Sequence, residues 1–77
     1  MIAPIPNRDK ITVQVQVDSA VDRLQWIQQM QDWAQQHGVV AHYEGYGTGR
    51  NGTRGWHRAF FAIEDEQQRS LFLLRWA

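Results

Sequence analysis

Arg50, Asn51, Arg54, Trp56 and Arg58 crowd one short stretch of the chain, interleaved with Gly47, Gly49, Gly52 and Gly55. Arginine donates hydrogen bonds in a planar fork that matches a carboxylate or a phosphate, and tryptophan offers a large contact surface. Side chains of these types grip another molecule rather than transform it. The run Gly47-Thr48-Gly49-Arg50-Asn51-Gly52 reads as G-x-G-x-x-G. That pattern cradles a dinucleotide only where the loop opens a helix, whose N-terminus receives the pyrophosphate. Here strand-forming residues follow, so the expectation is a flexible hairpin loop whose glycines admit positive φ.

Catalytic groups are harder to assemble. His37, His42 and His57 lack the spacing of metal ligands, although His42 and His57 could meet across a hairpin. Glu64, Asp65 and Glu66 are consecutive and therefore point in different directions, which suits a helix start better than an acid–base pair. Ser19 and Ser70 have no histidine at a readable distance, and the chain has no Cys. The expectation is no enzyme, no metal and no cofactor.

Such groups need a scaffold, and its size is bounded. The chain has 77 residues, enough for one small domain that buries roughly 60% of its unfolded surface. Without disulfides the apolar core must stabilise it alone, and 43% hydrophobic residues with four Trp and three Phe can supply that core. Formal net charge is +0, which gives no long-range attraction to nucleic acid or anionic membrane. No apolar run approaches a membrane span or a signal peptide, so a soluble, cytoplasmic domain is expected.

The elements follow from periodicity. Pro4 and Pro6 mark residues 1–8 as an extended arm, leaving 9–77 as a single α+β domain. Ile11, Val13, Val15 and Val17 alternate with Thr12, Gln14 and Gln16, the pattern of a half-buried strand. Asp18 and Ser19 offer N-cap chemistry for a helix over residues 20–37, with Asp22 in a capping-box position. Ala20, Leu24, Ile27, Met30 and Ala34 form its apolar face, and Gly38 ends it. Trp26 and Trp33 flank that face and His37 continues their stripe; either they pack inward or, with Met30, they wall an apolar groove. Residues 39–46 read as a second strand, with Ala41 and Tyr43 on one side and His42, Glu44 and Tyr46 on the other. The glycine loop comes next, followed by a third strand over residues 56–63. Its core face is Ala59, Phe61 and Ile63, against Trp56, Arg58 and Phe60. From Asp65, a plausible N-cap, a final helix places Leu71 and Leu74 on one face with Gln67; a last strand over residues 71–76 is the alternative.

The order β-α-β-β-α with a right-handed crossover predicts a three-stranded antiparallel sheet, order 1-3-2, with both helices on one face. This is a ferredoxin-like split βαβ fold missing its last strand. It leaves the first strand as an open edge, which the proline arm could cover, a second copy could pair with as a homodimer, or a partner's strand could extend. It also leaves one sheet face bare, carrying Trp56, Arg58, Phe60, Tyr46, His42 and Glu44 with Thr12, Gln14 and Gln16. Aromatics with an arginine on such a face are the equipment of RNA-recognition domains, and Arg54-Gly55-Trp56 begins like the motif on their third strand. Arg58, however, stands where that motif has an aromatic.

Phe61-Ala62-Ile63-Glu64-Asp65, continued by Leu71-Phe72-Leu73-Leu74-Arg75-Trp76-Ala77, resembles small uncharacterised proteins of tailed bacteriophages. Those proteins end in a strand, an acidic turn and a short helix closing on Phe-x-Leu-Arg-Trp. The likeness implies no activity and no catalytic residues. It implies a setting in which single-domain proteins bind one host protein and inhibit or redirect it, immunity systems included. The expectation is therefore a non-enzymatic binding protein for a host protein. Its contacts would be Arg50, Asn51, Arg54 and Trp56 in the loop and Tyr46, Arg58 and Phe60 on the sheet, with Trp26, Met30 and Trp33 as a secondary surface. Two other classes are a single-stranded nucleic-acid binder and a self-assembling structural component.

Overall fold

The computed structural model describes residues 11–77; the arm expected over residues 1–8 and its boundary lie outside them. The elements run β1 (Thr12–Asp18), α1 (Arg23–Gln36), β2 (His42–Asn51), β3 (Arg54–Ala62) and α2 (Glu66–Trp76). The three strands form one antiparallel sheet in the order β1-β3-β2, as the connection rules predict. Val13, Val15, Ala59 and Phe61 from one side of the sheet meet Trp26, Ile27, Met30 and Ala34 of α1 and Phe72 of α2. Both helices therefore back the same face. The arrangement is α+β and matches a ferredoxin-like fold truncated before its last strand.

The helix boundaries follow from capping. α1 starts three residues later than the capping signals at Asp18 and Ser19 suggest. Asp22 is the N-cap, its carboxylate accepting from the Gln25 N–H at 3.2 Å. Asp18 instead closes a tight turn, accepting from the Ala20 N–H at 2.8 Å. The later start rotates the buried face. Trp26 becomes a core residue while Leu24 is 70% exposed, because the larger ring gains more from burial. At the other end the Val39 N–H donates to the Ala34 carbonyl at 2.8 Å and the Gly38 N–H to Gln35 at 3.4 Å. This is a Schellman closure with Gly38 at φ 68. Gly38→Ala should cost about 1 kcal/mol, a fall of roughly 4–8 °C in thermal midpoint that calorimetry would read.

The last segment is helical, capped by Asp65, whose carboxylate accepts from the Gln68 N–H at 2.9 Å. Its inward face is Phe72 with Leu73 and Trp76, and not Leu71 and Leu74, which stand exposed. Arg69 anchors the helix by donating from Nη1 to the carbonyls of Ile63 and Glu64 at 2.7 and 2.8 Å.

The glycine-rich stretch differs most from expectation. It is strand rather than loop: β2 runs through to Asn51, and only Gly52 and Thr53 separate it from β3. Gly52 has φ 63 and Thr53 does not have positive φ, the pattern of a type II′ hairpin turn, whose twist suits the flanking strands. No helix follows the G-x-G-x-x-G run, so it has no phosphate-binding geometry.

A second difference lies at the start of β2. Tyr43 pairs with Phe61 and Gly45 with Phe60, leaving Glu44 as an extra, bulged residue. One extra residue exchanges the faces of everything beyond it. Tyr46 therefore pairs with Ala59 on the helix-backed side. There the Arg23 guanidinium lies 3.9 Å from its ring centroid. His42 stays on the bare side, opposite Ala62.

Candidate binding face

Cross-strand partners share a face, so the register defines the side of the sheet turned away from the helices. Its central row comes from β3: Arg54, Trp56, Arg58 and Phe60. β1 flanks it with Asp18, Gln16 and Gln14, opposite Trp56, Arg58 and Phe60. β2 flanks it with Asn51, Gly49, Gly47 and Gly45, opposite Arg54, Trp56, Arg58 and Phe60 in turn.

The glycines thus have a structural reason. A methyl group added at Gly49 would fall inside the Trp56 indole, and one at Gly47 would come within 3.8 Å of the Phe60 ring. At Gly49 the Trp56 ring lies across the outer strand in the space that a side chain would otherwise fill, whereas Gly47 leaves ordinary contact room beside Phe60. The Arg58 guanidinium is 4.2 Å from the Trp56 ring centroid. Its Nε and Nη2 both donate to Gln16 Oε1, at 3.2 and 2.9 Å. An indole, a guanidinium and an amide therefore fix one another across all three strands, and Trp56, Arg58 and Phe60 are each half-buried. Such mutual fixing reduces the side-chain entropy lost on association. Beside this row, towards the hairpin, Gln16, Asp18, Asn51, Arg54 and Trp56 line an open recess of about 290 Å³.

Of the residues singled out in the sequence, Asn51, Arg54, Trp56, Arg58 and Phe60 come together on this face. Arg50 does not join them. It pairs with Gly55 and belongs to the opposite side of the hairpin. Tyr46 is excluded by the bulge. The groove wall expected from Trp26, Met30 and Trp33 does not form, because Trp26 and Met30 are core residues, 6% and 0% exposed. Trp33 packs edge-on to Phe72 and Trp76 at 6.1 and 6.2 Å and stacks on His37 at 4.4 Å. His42 and His57 do not meet either. His57 pairs with Thr48 near the hairpin and donates to the Ser19 carbonyl at 3.2 Å, whereas His42 lies at the far end of the strand.

Gln16 was placed on this face by its alternation, but its bond to Arg58 and the part played by the glycines of β2 were not read from the sequence. Their signal was present in the period-two spacing of Gly45, Gly47 and Gly49, which suits a strand as well as a loop. Among the described residues no three His, Cys, Asp or Glu side chains cluster as a metal would require, and no helix is long and apolar enough to cross a membrane. No protein-family model matches the chain, and neither does any curated protein or solved structure.

Proposed function

We propose that the chain is a non-enzymatic binding module that occupies a protein surface with the bare face of its sheet. The observation that carries this reading is the row Trp56, Arg58 and Phe60, held across a glycine-lined outer strand on the face that neither helix covers. Tryptophan and arginine dominate binding hot spots, and a pre-fixed pair loses little entropy on docking. In the bacteriophage setting that the C-terminal stretch suggests, the partner is a host protein, blocked or redirected by stoichiometric occupancy.

The test is affinity capture with the tagged chain beside its Trp56→Ala and Phe60→Ala variants, each checked for folding by circular dichroism. A host protein retained by the parent chain should be released by either variant, at a cost of about 1–3 kcal/mol per side chain. Equal retention by all three would refute the assignment of the face.

One observation favours a second reading. Arg54, Trp56, Arg58 and Phe60 alternate on the central strand, which is where sheet-based readers of single-stranded RNA place stacking groups. On that reading an oligonucleotide gel shift would appear and collapse between 50 and 200 mM salt.

A further inference from the structure

The zero net charge of the chain conceals a segregation. Arg50, Arg54 and Arg58 all lie towards the hairpin end of the sheet, and among the described residues none of them pairs with a carboxylate. The side chains of Arg50 and Arg54 make no hydrogen bond to a described residue, and only their backbones are held in the ladder. Arg58 spends two donors on a neutral amide oxygen, which positions its guanidinium without neutralising it. Asp18 is the acidic residue lining the recess; its bond to the Ala20 N–H fixes the carboxylate without removing its charge, so it offsets one of the two arginines of the face. Glu64, Asp65 and Glu66 follow the end of β3 that is remote from the hairpin. Among the described residues the hairpin end of the candidate face thus carries two guanidinium groups, Arg54 and Arg58, against one carboxylate, Asp18.

We infer that the bare face recognises an acidic protein segment, whose carboxylates seat on Arg54 and Arg58 across the recess at the hairpin end. This rests on the reading of the face as a protein-docking surface and adds the chemistry of the partner. Charge complementarity selects the occupant. Two guanidinium groups, offset by the single carboxylate of Asp18, stand four residues apart on one strand face, about 13 Å, and an extended segment with carboxylates on alternate residues matches that reach. The Trp56 ring favours the same choice over a nucleic acid. It already has the Gly49 backbone and the Arg58 guanidinium as neighbours, so the face offers hydrogen-bond donors more readily than a free ring for a base.

The experiment uses fluorescein-labelled twelve-residue peptides alternating Glu with Ser, Gln with Ser, or Lys with Ser, and a twelve-nucleotide oligothymidine, in fluorescence polarisation against the full chain. The acidic peptide should bind saturably, and the neutral and basic peptides at least about tenfold more weakly, the factor expected when a charge-assisted hydrogen bond is lost. Arg54→Gln and Arg58→Gln should each weaken acidic-peptide binding about tenfold. The Arg54 side chain has no hydrogen bond to a described residue to lose, so its variant separates recognition from folding. Equal binding of the Glu and Gln peptides, absence of saturable binding, indifference to both arginine substitutions, or preference for the oligonucleotide would each overturn the inference. If a captured host protein depends on Trp56 yet is not displaced by the acidic peptide, the docking face stands and its acidic specificity falls.

Discussion

Phe72→Ala should destabilise the domain by about 3–5 kcal/mol, the largest loss expected of any single substitution considered. Phe72 is 0% exposed, 5.1 Å from the Phe61 ring centroid and 6.1 Å from that of Trp33, so it joins the last helix both to the sheet and to the first helix. Truncating a buried phenylalanine costs about 3–5 kcal/mol, the lost transfer energy plus the cavity left behind. A domain of this size has roughly 4–12 kcal/mol in total, by the usual stability per residue. Leu73 and Trp76 pack beside it, and hydrogen bonds from Arg69 to the carbonyls of Ile63 and Glu64 and from the Val40 N–H to Gln68 add to them, but Phe72 is the one side chain of α2 that is fully buried. The measurement is urea denaturation followed by circular dichroism and tryptophan fluorescence. The variant's midpoint should fall by at least about 1 M urea relative to the parent's, with the folded baseline shortened to match. A midpoint within experimental error of the parent's would show that the helix docks by other means.

Gly49→Ala should weaken partner binding as much as Trp56→Ala, by about 1–3 kcal/mol, although it removes no contact group. The added methyl falls inside the Trp56 indole, and the ring must leave. When it leaves, Arg58 loses its aromatic neighbour and the central row loses its geometry. The penalty falls on the site more than on the fold. The displaced atoms are the far end of a side chain able to rotate into solvent, and alanine is no worse than glycine in an extended strand. Binding should therefore fall while the urea midpoint moves little, and Trp56 emission should shift towards that of a solvated indole. Unchanged emission with unchanged affinity would mean that the ring does not depend on the bare backbone beneath it.

Much of the architecture was legible because it is written in simple periods. Alternating Val13, Val15 and Val17 specified β1, and Ala59, Phe61 and Ile63 specified the buried side of β3. The connection rules then admitted one strand order. Where the reading slipped, two local signals competed. Asp18, Ser19 and Asp22 all carry N-cap chemistry, and only the packing of Trp26 decides which of them starts the helix. Leu71 and Leu74 look like core residues by type, but Phe72 and Trp76 reach further and occupy the inner face. The glycines were ambiguous for a deeper reason. A run of them signals freedom when neighbours are ignored, yet Gly49 is kept bare by the Trp56 ring of another strand. Chemistry of the face was readable at Arg54, Trp56, Arg58 and Phe60, where type and alternation agree. Tyr46 was misplaced because a strand with one surplus residue cannot be phased from its own letters, and Arg50 because the glycines around it read as loop where β2 continues to Asn51.

That surplus residue makes the outer strand unequal in its tolerance of length changes. Omitting Glu44 would straighten the ladder and keep each later residue opposite its present neighbour. Omitting any one residue between Gly45 and Asn51 would reverse the strand's sidedness up to that point or shear it from the turn, setting Tyr46 against the aromatic row. A natural or engineered variant one residue shorter is therefore best tolerated where the gap removes Glu44 itself.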